Sequence, residues 1–196
     1  MSEPEPEPKE PVVVPGPVVV LPPAASPASQ PHADSALIRS HRHIDSVRPE
    51  LRSKAWLVES IMRSKGHEVV AVSSVRTDED QLKIWRVGRE YRDGAWVVTG
   101  PVVTRAQTSA DSPHGFRVKA ALDWAFLLGG QLVGPKPGPN NDSWDAELPW
   151  AVFGAVVESQ GLRWGGRFKP LDKVTGLGWD AGHSEMENWR TLPVLA

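Results

Sequence analysis

The chain has 196 residues, 40% of them hydrophobic, which is enough for one domain with a buried core and too little for two. Its net charge is −2 and no block of Lys or Arg stands out, so the basic surface of a nucleic-acid-binding protein is not expected. The absence of cysteine excludes disulfides, thiolate zinc sites and cysteine nucleophiles. Any metal site must therefore be built from His, Asp and Glu.

Residues 1–35 are rich in Pro, Glu and Ala, a composition that cannot bury enough apolar surface to fold. We expect a disordered, semi-stiff tail there, either a tether or an inert extension, and a single folded domain over residues 36–196. The apolar run Val12–Leu21 is broken by Pro15 and Pro17 and follows an acidic segment, so it is not a secretory signal peptide. No run approaches the roughly 20 apolar residues of a membrane span.

The folded part begins with helix, strand and helix. Apolar residues at three-to-four spacing predict an amphipathic helix that begins near Pro49 and is closed by Gly66. The β-branched segment Glu68–Ser74 predicts a strand, and Thr77–Val87 returns to helical spacing behind a Thr cap. Residues 88–111 are rich in glycine and polar residues, which is typical of a loop or a loose hairpin.

The second half of the chain supplies another strand and another helix. Lys119–Leu128 is apolar apart from one aspartate and predicts a buried strand, followed by a turn at Gly129-Gly130 and a loop over 134–143. Leu148–Gln160 predicts a helix ended by Gly161. The order of elements predicts an α+β fold, with helices packed on a small, mainly antiparallel sheet. The tryptophans invite a sugar-stacking interpretation, but core packing is the better one for Trp56, Trp85 and Trp124.

Two histidines have carboxylates at informative spacing. Asp123 interrupts the apolar strand nine residues after His114, and a buried carboxylate is costly unless it is paired or bound to a metal. His183 has Asp180 three residues before it and Glu185 two residues after it. Catalytic zinc commonly takes three protein ligands and needs a nearby general base, and this set offers both.

Each of these residues also has an ordinary structural explanation. An isolated Asp in a strand or an isolated His is more often structural than a metal ligand, Arg76 could be a surface charge, and Glu185 could be a solvated strand end. The remaining histidines are not expected to bind metal; they are His32, His41, His43 and His67. The metal-site hypothesis depends on the combination.

The combination resembles a known family. SSVRTDEDQLKIWRVGRE is similar to an Arg-and-Gln segment, SPHGFRVKAALDWA to a Ser-x-His…Ala-x-Asp metal motif, GLRWGG to a Trp-Gly-Gly turn and WDAGHSEM to an Asp-x-x-His-x-Glu ending. In this order they resemble the zinc D-alanyl-D-alanine carboxypeptidases of the vancomycin-resistance type. They are most similar to the L-alanyl-D-glutamate endopeptidases of phage endolysins. The resemblance spans roughly residues 47–187.

The resemblance implies a role for each matching residue. His114, Asp123 and His183 would bind one Zn²⁺ ion at the sheet, and Asp180 would activate water. Arg76 would contact the substrate and stabilise negative charge on the scissile carbonyl. Gln81 would shape that pocket, Ser112 would support the first histidine, and Glu185 would orient a ligand histidine. The chain departs from the family pattern in three places. The step from His114 to Asp123 is nine residues rather than seven, Ser184 stands where an aromatic residue is common, and TGLGW lengthens the loop before Asp180.

The sequence therefore predicts a monomeric zinc peptidase that cuts bacterial peptidoglycan stem peptides, between L-Ala and D-Glu. Without a signal peptide, we expect an endolysin-like phage protein made in a bacterial cytoplasm and acting on the cell wall. One alternative is a D-alanyl-D-alanine carboxypeptidase on the same scaffold. The other is a non-catalytic binding protein associated with a wall or a virion.

Overall fold

The computed structural model describes residues 30–134, 148–169, 178 and 180–195. The helices in these ranges are α1 (Gln30–Ser46), α2 (Pro49–Ser64), α3 (Asp78–Arg86) and α4 (Trp150–Ser159). The strands are β1 (Val69–Ser73), β2 (Arg89–Arg92), β3 (Ala95–Val98), β4 (Ala121–Leu128), β5 (Gln131–Val133), β6 (Leu162–Trp164) and β7 (His183–Met186).

The main sheet has the order β1-β4-β7-β6, and β5 pairs with the far end of β4. Neighbouring strands in it are antiparallel, as are β2 and β3, which form a separate hairpin. Helices and an antiparallel sheet confirm the predicted α+β class. The hairpin lies inside the segment predicted as a loop or loose hairpin.

The helix and strand predictions for α2, β1, α3, β4 and α4 are confirmed to within about two residues at each end, a margin within which helix ends are in any case poorly defined. Helix α1 was not predicted. Its first six residues belong to the segment predicted as a disordered tail, and the rest of that tail lies outside the described residues. The predicted loop over 134–143 also lies outside them, except for Gly134.

The two faces of the sheet have different roles. Alternate residues of β4 point to opposite faces, and Leu122, Trp124 and Phe126 pack into the core formed with the helices. Asp123 therefore points to the other face. On β7, Ser184 faces the core side, where its hydroxyl accepts a hydrogen bond from Trp124 Nε1 at 2.8 Å. His183 and Glu185 thus share the face of Asp123.

Trp124 is 1% exposed in the core, as predicted, and the half-buried Trp56 packs against that core. The core prediction is wrong for Trp85, which packs edge-on against Trp96 of the β2–β3 hairpin, with ring centroids 5.5 Å apart. α3 contributes only Gln81 to the buried interior, so its tryptophan lies outside the core. Across the described residues, no helix combines the length and apolar character that crossing a membrane requires.

Candidate metal centre

Three segments bring His114, Asp123 and His183 together. Asp123 and His183 are directly paired in the β4–β7 ladder, so the backbone register places their side chains side by side. His114 lies in the turn before β4, held there because its carbonyl accepts a hydrogen bond from Arg76 N at 2.8 Å. Both histidines are buried, and the Asp123 side chain is 24% exposed. Of the three side chains, that of Asp123 is therefore the most exposed to solvent.

The facing atoms of the cluster are spaced as metal ligands would be. Asp123 Oδ1 lies 3.2 Å from His114 Nε2 and 2.9 Å from His183 Nδ1, and the two nitrogens are 3.3 Å apart. Two ligands bound to zinc at about 2.0–2.1 Å in a tetrahedral site are about 3.3 Å apart. The three residues could therefore hold a metal ion. Within the described ranges, they are the His and Asp side chains whose potential ligand atoms lie close enough together to do so.

The other ring nitrogen of each histidine is held by an acceptor. His114 Nδ1 lies 2.6 Å from the Ser74 carbonyl oxygen, which can only accept, so this nitrogen carries the proton and Nε2 is bare. His183 Nε2 lies 3.2 Å from Glu185 Oε2. A metal-bound histidine typically donates its second N–H to a carboxylate or a backbone carbonyl in this way. The bonds thus aim one nitrogen of each ring at the carboxylate of Asp123.

The protonation equilibria of the cluster are strongly coupled. Burial opposes charge on His183, but its hydrogen bonds to Asp123 and Glu185 outweigh this effect and raise the pKa of His183 to about 10. Burial lowers the pKa of His114. Burial would raise the pKa of Asp123, yet the neighbouring histidines hold it well below the usual value. The raised pKa of His183 and the lowered pKa of Asp123 both favour the charged forms of this pair.

Asp180 lies beside the cluster. Its Oδ2 is 3.9 Å from His183 Nδ1, the nitrogen that faces the other two ligands, and the Asp180 carbonyl accepts a hydrogen bond from His183 N at 2.9 Å. Burial, joined by repulsion from Asp123, raises the pKa of Asp180 to about 7 against the attraction of His183. A carboxyl that titrates near neutral pH can both accept and return a proton.

A glycine makes room for this turn. A Cβ atom on Gly165 would lie 2.1 Å from the Asp180 carbonyl oxygen and 2.9 Å from His183 Cβ. Gly165 is the second glycine of the GLRWGG segment, immediately after β6. The absence of a side chain at this position is therefore what lets the end of β6 pack against the turn carrying Asp180 and His183.

Arg76 contacts the cluster directly. Its Nη2 donates to Asp123 Oδ2 at 2.7 Å and to Ser73 Oγ at 3.0 Å, and its side chain is 22% exposed. The guanidinium holds one carboxylate oxygen of Asp123 and leaves Oδ1 facing the histidines. Arg76 thus lies at the edge of the cluster, paired with the candidate ligand carboxylate.

The other predicted residues occupy different places. Ser112 Oγ accepts a hydrogen bond from His114 N at 3.3 Å, inside the turn. Gln81 is fully buried and donates to Ala106 O at 2.8 Å, while its Oε1 has no hydrogen-bond partner in the described chain. Glu185 lies against His183 and also accepts from Arg163 Nη1 at 2.6 Å. Gln81 therefore holds the segment that leads to the turn, whereas Ser112 and Glu185 contact candidate ligands.

Sequence reasoning missed two of these partners. Ser74 acts through its carbonyl oxygen, so its side-chain type carries no signal of the contact. Arg163 could have been found, because it alternates with the buried Leu162 and Trp164 of β6 and so must point to the same face as the cluster. The resemblance implies a Trp-Gly-Gly turn in GLRWGG, whereas Leu162–Trp164 of this segment form strand β6.

No family model matches the chain, and no curated protein sequence matches it. Among solved structures, the crystal structure of the Serratia marcescens L-Ala D-Glu endopeptidase ChiX is similar to it, with a TM-score of 0.50 and 17% sequence identity. The match covers 77% of this chain and 88% of that chain. At this level of identity the likeness shows a shared fold.

Proposed function

We propose that this protein is a zinc-dependent peptidase of bacterial peptidoglycan that cuts stem peptides. The observation that carries the proposal is the arrangement of the two histidines. Each has one ring nitrogen held by an oxygen acceptor and the other aimed at Asp123 Oδ1, 2.9 and 3.2 Å away. A nitrogen-and-oxygen donor set of this kind suits Zn²⁺, and three protein ligands leave one position for the reaction. The fold shared with a peptidoglycan endopeptidase supports the substrate class.

In this proposal His114, Asp123 and His183 hold the ion, which would polarise the scissile carbonyl and lower the pKa of water. Asp180 removes the proton from the water that attacks the carbonyl carbon. The same carboxyl then delivers that proton to the amine as the C–N bond breaks.

Arg76 has two proposed tasks. Its contact with Asp123 orients the ligand carboxylate, and its partial exposure leaves the guanidinium within reach of a bound substrate. A fixed cation beside the scissile carbonyl stabilises the negative charge that develops on its oxygen, an effect of about 10²–10³ in rate for comparable donors. Gln81 contributes by holding the 104–108 segment, which leads into Ser112 and His114.

We further propose that the bond cut is the one between L-Ala and D-Glu. The support is the resemblance of the sequence motifs to endolysin endopeptidases, together with the activity in the name of the structural neighbour. A D-alanyl-D-alanine carboxypeptidase is the alternative, because the same motifs also resemble that group of enzymes. Mass analysis of products from purified wall fragments separates the two. Peptides that begin with D-Glu support the endopeptidase, whereas free D-Ala supports the carboxypeptidase.

The experiment that tests catalysis compares Asp180→Asn with wild type on purified peptidoglycan. Asp180→Asn keeps the size of the side chain and removes the proton acceptor, so we expect hydrolysis to fall by about 10²–10⁴-fold. Zinc binding, measured by metal analysis after dialysis, should persist because Asp180 is not among the three ligands. Asp45→Asn, on the exposed side of α1, is the matched control and should retain full activity. A wild type that binds no zinc and hydrolyses no peptidoglycan would favour the non-catalytic alternative, whereas full activity in Asp180→Asn would show that Asp180 is not the base.

A further inference from the structure

Helix α1 covers the outer edge of β1, the edge strand of the main sheet. Ala71 N donates to Ser40 Oγ at 2.8 Å, so a helix side chain satisfies a backbone group that a neighbouring strand would otherwise pair. One helical turn further on, His43 Nδ1 lies 2.9 Å from Ser74 Oγ, and Ser46 Oγ lies 2.9 Å from the same hydroxyl. α1 is therefore joined by hydrogen bonds to the end of β1.

Ser74 is the residue whose carbonyl holds His114. It lies one position beyond the end of β1, and the β1–β4 register already shifts between Ala71 and Ser73. The ladder with β4 ends there, at the pair Ser73–Asp123. The chain is next held at Arg76, whose N–H donates to the His114 carbonyl oxygen at 2.8 Å. Between these two ties, the Ser74 side chain is held by its contacts with α1. Ser74 is 6% exposed and its carbonyl oxygen lies 2.6 Å from His114 Nδ1.

We propose that His43 is a positioning residue of the metal centre. Through the Ser74 hydroxyl it fixes the Ser74 peptide, whose carbonyl selects the tautomer and the orientation of His114. The inference rests on the proposed function only in giving His114 the role of a metal ligand. The network itself, from helix to serine to histidine ring, is part of the fold and does not depend on the proposed function.

The chemistry of the network suits an imidazole. Ser46 Oγ is 2.7 Å from the His43 carbonyl oxygen and 2.9 Å from Ser74 Oγ, and its one proton can go to either oxygen. The His43 carbonyl can only accept, so when it takes this proton the Ser74 hydroxyl keeps its own proton to donate. The Ser74 hydroxyl can then donate to His43 Nδ1, an acceptor in a neutral ring. Burial lowers the pKa of His43 against the pull of Asp123, which favours the neutral ring. A leucine would fill the same space but leave Ser74 Oγ without this partner.

The test compares His43→Leu with His43→Asn, whose side-chain amide reaches approximately where Nδ1 lies. His41→Leu, two residues earlier on α1 and exposed, is the matched control for the loss of an imidazole from this helix. Nitrogen NMR of the metal-free proteins reports the tautomer of His114. We expect the Nδ1–H tautomer in wild type, His41→Leu and His43→Asn, and a mixture of tautomers in His43→Leu.

Zinc affinity, measured by competition with a chromophoric chelator, is the second readout. Loss of an outer partner of a metal ligand typically costs 10–100-fold in affinity, and we expect about tenfold for His43→Leu with partial rescue in His43→Asn. Ser74→Ala, which keeps the carbonyl and removes the hydroxyl, should lower the zinc affinity by the same factor, and the double variant should lower it no more than either single variant.

Additive losses of zinc affinity, or an unchanged tautomer of His114 in both Ser74→Ala and His43→Leu, would overturn the inference. If the wild type binds no zinc while His43→Leu still shifts the tautomer of His114, only the proposed function is overturned.

Discussion

At the scale of single residues, Glu185 shows how a buried charge is retained beside the cluster. Its side chain is 6% exposed, and its two oxygens face different partners, His183 Nε2 at 3.2 Å and Arg163 Nη1 at 2.6 Å. An uncompensated carboxylate at this depth would be strongly destabilising, so the pair with Arg163 is what permits it. The salt bridge leaves Oε2 of Glu185 to fix the ring of His183.

We therefore expect Glu185→Ala to weaken zinc binding by about 10–100-fold, because the ring of His183 loses the acceptor that orients it. The loss should also lower the pKa of His183, which this carboxylate helps to raise. Chelator competition measures the affinity, and proton NMR of the metal-free protein measures the pKa. Glu187→Ala removes an exposed carboxylate from the same segment and should change neither quantity. Equal zinc affinities in the two variants would contradict this role for Glu185.

At the scale of secondary structure, the site depends on how closely the end of β6 approaches the turn before β7. The carbonyl of Asp180 accepts from His183 N within this turn, and Gly165 packs directly against it. Since Asp180 O belongs to the backbone, an added methyl group cannot be relieved by a side-chain rotation. The turn itself would have to move, carrying Asp180 and His183 with it.

Gly165→Ala should therefore destabilise the protein by about 1–3 kcal/mol, the usual cost of overpacking, and lower hydrolysis more than the stability loss alone explains. Urea denaturation gives the free energy of unfolding, and peptidoglycan hydrolysis gives the activity of the folded fraction. Gly134→Ala is the matched control, because a Cβ there meets only Ala125 Cβ at an ordinary 3.7 Å. Full activity in Gly165→Ala would show that the turn tolerates displacement.

Which elements could be predicted depended on how their apolar residues are arranged. Helix α2 buries Leu51, Ala55, Val58 and Met62, a regular apolar stripe that the sequence displays directly. Helix α1 buries a mixed set that includes Ala36, Ser40 and Ile44, and small or polar residues leave the helical period weak. Strands β6 and β7 have only three and four residues, and β7 is mostly polar because it carries part of the site.

Some features of the candidate site could likewise be predicted from the sequence and others could not. Motif spacing was sufficient to nominate His114, Asp123 and His183, because an aspartate inside an apolar strand requires an explanation. Which ring nitrogen faces the cluster was not predictable, since it is decided by Ser74 and Glu185, one of them acting through its backbone. The contribution of α1 was also hidden, because the Ser74–His43 contact joins residues 31 positions apart through hydroxyl and imidazole groups common on any surface.

At the scale of the whole molecule, β4 links the cluster to the core. Its residues alternate between the helix-facing core and the site face, so Asp123 is flanked by Leu122 and Trp124, both almost fully buried. Trp124 also reaches across to Ser184 on β7. Ligand placement and core packing are therefore parts of one structure, and metal binding should stabilise the entire fold.

The same linkage predicts how stability depends on pH. The pKa of His183 is raised to about 10 in the folded, metal-free protein, above its ordinary value of 6.5. Its contribution to stability is therefore fully present below pH 6.5 and is lost as the pH rises toward 10. The pKa of Asp180 is raised from its ordinary value of 3.8 to about 7. The stability that the protonated Asp180 contributes is therefore lost as the pH rises from 3.8 to about 7. In chelator-treated protein, we expect Tm to fall as the pH rises from 7 to 10, and to fall less in His183→Gln.

Zinc should reverse this trend, because the proton that bridges His183 to the carboxylates must leave before Nδ1 can bind the ion. Proton competition therefore weakens binding at low pH, and the increase in Tm caused by a fixed zinc concentration should be larger at pH 9 than at pH 7. Thermal denaturation followed by circular dichroism, with and without zinc, measures both trends in one experiment. Asp45→Asn should behave as wild type, since its exposed carboxylate lies outside the cluster. An increase in Tm that is the same at both pH values would mean that the ion does not displace a proton from His183.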